Sequence, residues 1–165
     1  MNLDPRTLLF SLILTNSLMV LSLFVAATSG SGSKRPDGIR KWAIAILLET
    51  LTWTLIAARG TIPDVYSVIV ANGFKAASHA LILAAIYEFQ QRSAPRWQYF
   101  VPVVLAMVMG ALLLNDIQGR FIWGSLIFGF QMVLIGRALV SDRDTRAGRA
   151  WRLLFAGVVI VLLVL

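Results

Sequence analysis

The chain has 165 residues, of which 58% are hydrophobic and only 14% charged, with a mean hydropathy of +0.79. Soluble domains carry about 25% charged residues, and here the few charges are bunched between long apolar runs. That pattern excludes a soluble globular domain and predicts an all-α, polytopic transmembrane helix bundle. A formal charge of +7 would point a soluble protein towards nucleic acid. Between apolar runs it reads as basic loops facing the cytoplasm, and no nucleic-acid partner is expected.

Six spans are predicted within a single transmembrane domain, at about residues 5–27, 39–58, 65–89, 97–114, 121–140 and 151–165. A membrane β-barrel would instead show segments of about ten residues with alternating polarity. The first span opens on Asp4 as a cap and Pro5 in the first turn. Its apolar stretch exceeds the roughly 7–15 residues of a signal-peptide core, and its start is not basic, so it reads as an uncleaved helix. Asn16 and Ser17 within it read as packing contacts. A Gly/Ser linker at 29–33 leads to the second span, which carries Glu49 near its middle and Trp53 one turn on. Gly60 and Pro63 stop that helix. The turn is short, so spans two and three should be antiparallel neighbours.

The third span, capped by Asp64, is the one around which the others are expected to pack. Asn72, Lys75 and His79 fall on one helical face. Ala76, Ala80 and Ala84 form a small-residue stripe beside it, where another helix can approach closely. Pro102 lies in the first turns of the fourth span, and residues 115–120 form a polar turn. The fifth span holds Gln131, and its glycines Gly124, Gly129 and Gly136 are spaced for packing. The last segment stays apolar to Leu165 and is shorter than the about 20 residues a span needs. The expectation is a chain cut inside a helix.

Orientation follows from the basic residues. Lys34, Arg35, Arg40 and Lys41, then Arg92 and Arg96, then Arg137, Arg143, Arg146, Arg149 and Arg152 flank three alternate loops, eleven of the fifteen in all. This places the amino terminus outside and those loops in the cytoplasm.

Glu49 lies roughly 13 Å below one end of its helix and Lys75 roughly 15 Å below the opposite end of the next, at 1.5 Å per residue. In antiparallel neighbours these depths meet near the midplane. An isolated charge there costs at least about 2.5–3.5 kcal/mol. Glu49 should therefore pair with Lys75, with His79 or Asn72 taking a spare hydrogen bond and Trp53 lining a pocket. Glu49, Trp53, Asn72, Lys75 and His79 thus form the candidate intramembrane polar site. Two readings stay open at this point: an ion pair that fixes helix register, and a ligand or proton site. The chain has no Cys and a single His. With no Walker loop, no H-E-x-x-H and no nucleophile triad, neither a cofactor, a metal nor an enzymatic activity is expected.

Asp4-Pro5-Arg6-Thr7-Leu8, Gly38-Ile39-Arg40-Lys41-Trp42-Ala43 and Arg59-Gly60-Thr61-Ile62-Pro63-Asp64 open the first three spans. These stretches resemble the membrane input region of bacterial GGDEF diguanylate cyclases. The resemblance implies a sensory or regulatory domain in the bacterial inner membrane, coupled as a homodimer to a cytoplasmic GGDEF output. The chain itself contains no GGDEF sequence, so no cyclase residue carries over. Expected partners are membrane lipids and a small ligand of unknown identity. The alternative is a small transporter or channel subunit with its polar site at the midplane.

Overall fold

The computed structural model describes residues 5–29 and 38–140. Five helices follow in order: α1 (Pro5–Ser29), α2 (Ile39–Ala57), α3 (Ala71–Phe89), α4 (Trp97–Leu112) and α5 (Ile117–Val140). α3 is entered through Val65–Val70, six residues wound as a π-helix and continuous with it. Among the described residues there is no strand, only a bridge between Arg59 and Ile62 in the α2–α3 turn. The sixth predicted span, at 151–165, lies outside the described residues.

Three of these helices are long and apolar enough to cross a membrane: Thr7–Thr28, Val65–Phe89 and Ile117–Leu139. α2, with 19 residues, spans about 28 Å, but Arg40, Lys41 and Glu49 dilute its apolar character. α4, with 16 residues, spans about 24 Å, short of a hydrocarbon core of about 30 Å.

The distribution of side chains is the reverse of a soluble core. Large apolar groups such as Phe10, Leu21, Phe24, Phe100, Leu112 and Phe121 are exposed. Inside lie small or polar residues, among them Ala71, Ala76, Ala85, Ala106, Thr52, Ser78, His79 and Gln131. Small residues let helix backbones approach, and polar residues join them where lipid supplies no hydrogen bonds. Two apolar clusters complete the interior: Leu83 and Ile86 with Leu134, Ile135 and Ala138, and Ala76 with Ala106 and Ile127. Both centre on α3, which touches α2, α4 and α5. α1 is apolar all round and packs on α2 alone among the described helices.

Four contacts fix α2 antiparallel to α3. Lys41 at the start of α2 meets Glu88 at the end of α3 at 2.8 Å. Glu49 meets Lys75, the Thr52 hydroxyl shares its one proton between the Leu48 carbonyl of its own helix at 2.9 Å and the Ala71 carbonyl at 3.3 Å, and Arg59 donates to the Ser67 carbonyl at 3.5 Å. The turn between them uses Gly60 at φ 90°, a conformation glycine adopts without a Cβ penalty. α3 ends in a Schellman arrangement: Arg92 N–H donates to the Tyr87 carbonyl at 2.8 Å and Gln91 N–H to Glu88 at 2.9 Å. Gln91 takes the left-handed position at φ 55°.

Three local expectations differ from what forms. The Asp64 side chain does not cap the third span. Its backbone is already helical at φ −60°, ψ −25°, whereas a capping residue sits in the extended region. The Pro63 carbonyl accepts the first N–H groups instead, from Tyr66 and Ser67. α5 starts at Ile117, inside the expected polar turn at 115–120, because Asp116 caps it by accepting the Gly119 N–H at 2.9 Å. Gly129 faces open space, and a Cβ at Gly124 would meet only Phe128 of its own helix, so neither mediates a close helix crossing among the described residues.

Gly38 precedes α2 at φ 75°, and a Cβ there would lie 2.5 Å from the Ala85 carbonyl oxygen of α3. Gly60→Ala meets no neighbour and should cost about 1 kcal/mol of backbone strain. Gly38→Ala adds a clash with main chain and should cost about 3 kcal/mol. Equilibrium unfolding of both variants in detergent micelles measures the difference.

Candidate functional site

α2 and the continuous Val65–Phe89 helix that contains α3 bring their charges together about halfway along their length. Lys75 Nζ lies 2.5 Å from Glu49 Oε1, with both side chains largely shielded. Trp53, one turn beyond Glu49 on α2, donates its indole N–H to the same Oε1 at 3.0 Å. The Lys75 ammonium also sits 4.9 Å from the centre of the Trp53 ring, within reach of a cation–π attraction. One carboxylate oxygen thus serves two donors. The other, Oε2, is buried and has no hydrogen-bond partner in the protein.

His79 does not join this group. Four residues on a helix advance its direction by about 40°, enough to aim His79 at α5 while Lys75 reaches α2. Its Nδ1 lies 3.3 Å from Gln131 Oε1, and Gln131 donates through Nε2 to the Ala76 carbonyl at 2.8 Å. The Phe128 ring meets the imidazole edge-on at 5.7 Å between centroids. His79 and Gln131 are both buried, at 6% and 2% exposure. The Ala76 carbonyl belongs to α3's own ladder, so Gln131 adds a bond to backbone that already runs through the helix.

Asn72 takes neither position. It lines a cavity of about 20 Å³ between α3, α4 and α5, together with Arg120, Trp123 and Gly110. The volume is that of about one water molecule.

The five residues expected to form one polar site therefore divide into three places. Glu49, Trp53 and Lys75 join α2 to α3; His79 joins α3 to α5; Asn72 faces the small cavity. Trp53 acts as a hydrogen-bond donor to the carboxylate, a role its i, i+4 spacing from Glu49 already contained. Gln131 is the site residue that sequence reasoning left aside. Its signal was an amide within a long apolar helix, which must find a partner in lipid. Among the described residues no three of His, Asp and Glu converge in a way that would hold a metal ion.

A bundle with an apolar exterior, a small-residue interior and neutralised charges between its helices defines an all-helical membrane protein. No protein-family model matches the chain, and neither the curated proteins nor the solved structures contain a match to it.

Removing one member of the ion pair leaves the other uncompensated in a low-dielectric setting. Glu49→Gln and Lys75→Met should each destabilise the bundle by about 2–4 kcal/mol. The exchange Glu49→Lys with Lys75→Glu should recover most of what either single reversal loses. Unfolding in detergent or bicelles measures the coupling. A double exchange no better than the single reversals would contradict the pairing.

Proposed function

We propose that the chain is the membrane-embedded regulatory part of a bacterial signalling protein. In this reading six spans cross the inner membrane with the amino terminus outside. A stimulus received in or outside the membrane shifts the bundle between two packings, which a cytoplasmic output of the GGDEF type reads. The observation that carries this reading is the position of α3. It is held to α2 by Glu49–Lys75 and to α5 by His79–Gln131, at neighbouring turns of one helix. Polar contacts of this kind have discrete made and broken states, which is what a two-state element requires. The π-helical turn at Val65–Val70 adds a place where the register of α3 can change, since π turns relax to α-helix by shifting one residue. The resemblance of the span-opening stretches to cyclase input regions and the alternation of basic loops support the output and the orientation.

A small transporter is the second reading, and one observation favours it: the unpartnered Glu49 Oε2 offers a buried acceptor for a proton or a hydrogen-bonding substrate. Against it, the Lys75 ammonium and the His79–Gln131 pair are engaged in contacts between helices.

The chain has no native Cys, so spin labels at Leu51→Cys on α2 and Val133→Cys on α5, both exposed, report the distance between those helices without background. The regulatory reading predicts that Gln131→Leu adds a second distance population in bilayers, and that proteoliposomes show no protein-dependent proton or cation flux. A single unchanged distance in both Gln131→Leu and Lys75→Met overturns it. Flux abolished by Glu49→Gln establishes the transport reading instead.

A further inference from the structure

At the end of the bundle where α2 begins and α3 stops, a groove of about 340 Å³ opens to the surface. That is within the range of sites that hold small molecules, about 300–1,000 Å³. Its chemistry is mixed. Lys41 and Arg92 supply cations, Glu88 a carboxylate, Ser93 a hydroxyl, and Tyr87 and Tyr99 aromatic rings with hydroxyl tips. Lys41 Nζ and Glu88 Oε2 stand 2.8 Å apart and remain partly open, at 44% and 25% side-chain exposure. The Arg92 guanidinium lies over the Tyr87 ring at 5.9 Å. The groove is also firmly built: the Schellman turn sets Arg92 at the end of α3, and Gln90 Nε2 donates to the Ala138 carbonyl of α5 at 2.9 Å.

We propose that this groove binds the headgroup of a zwitterionic aminophospholipid, a phosphate with a primary ammonium a few bonds away. Glu88 pairs with Lys41 across the α2–α3 contact and still leaves part of its carboxylate open to the groove, so an anion bound there also meets a negative charge. A site made only for a cation would not carry Lys41 and Arg92. Both signs together, beside two tyrosines, match a ligand with both signs. The phosphate accepts from Arg92, which is suited to phosphate by its planar donor fork. The ammonium takes the open side of Glu88 and the face of an aromatic ring. The location agrees with this ligand, because the ends of spanning helices lie at the depth of lipid headgroups and tyrosine is enriched there. The inference rests on the membrane placement of the bundle and is independent of whether it signals or transports.

The test is retention of lipid by the full chain, extracted in mild detergent from membranes containing both phosphatidylethanolamine and phosphatidylglycerol and analysed by native mass spectrometry. About one phosphatidylethanolamine should stay bound per chain. Arg92→Gln should lower its retention about tenfold, equivalent to 1.4 kcal/mol. Glu88→Gln should exchange the preference, losing phosphatidylethanolamine and gaining phosphatidylglycerol, a gain that misfolding cannot produce. Equal retention of both lipids by the wild-type chain and both variants overturns the proposal. So does a wild-type preference for phosphatidylglycerol. Displacement of the lipid by millimolar phosphoethanolamine at equal affinity would identify a soluble phosphate compound as the ligand and overturn the lipid assignment.

Discussion

A carboxylate and an ammonium shielded from water between two apolar helices each leave a costly uncompensated charge unless they touch. That requirement ties Glu49 to Lys75 and sets the register of α2 against α3. Once the pair is made, the other contacts along the same interface fall into place: Lys41 with Glu88 towards one end, Thr52 with the Ala71 carbonyl and Arg59 with the Ser67 carbonyl towards the other. The ion pair is not the chief source of attraction, since desolvation offsets much of its Coulomb energy. Its effect is selective. Sliding α2 by one turn would leave two charges exposed to lipid, so competing registers are penalised more than the native one is rewarded.

α3 acquires its central place from composition as much as from charge. Ala71, Gly73, Ala76, Ala80 and Ala85 keep its surface low, so α2, α4 and α5 can all approach. A Cβ on Gly73 would sit 2.9 Å from the Met107 side chain of α4, which shows how near that helix comes. The polar side chains then work between these close surfaces, His79 and Gln131 on one side and Glu49, Trp53 and Lys75 on the other. Exposed leucines and phenylalanines on α1, α4 and α5 complete the arrangement by facing outwards, where a bilayer supplies their solvent.

Much of this was legible in the sequence. Apolar runs gave the five described helices to within a few residues, because a long apolar segment satisfies its own backbone most readily as a helix. The Glu49–Lys75 contact followed from counting depth along two antiparallel helices. What spacing could not supply was rotation about the helix axes. Asn72, Lys75 and His79 share a broad face, yet that face borders three helices, and each side chain turns to a different one. Gln131 became the partner of His79 because of how α5 is rotated against α3, which no local pattern encodes. The π-helical turn was equally hidden, since Val65–Val70 contains neither glycine nor proline to mark it. The start of α5 was missed for a different reason: Asp116 and Gly119 make a local cap, but within a polar run they look like the rest of a turn.

The most direct measurement is the distance between the Lys75 ammonium nitrogen and the Glu49 side-chain carboxyl carbon in lipid bilayers, by nitrogen–carbon dipolar recoupling in solid-state NMR. A separation below about 4 Å, as a charge-assisted hydrogen bond requires, is the expected result, and it should vanish in Glu49→Gln. A Lys75 signal with no carboxylate carbon within about 6 Å would mean that the two helices meet in another register, and the arrangement built on that contact would not stand.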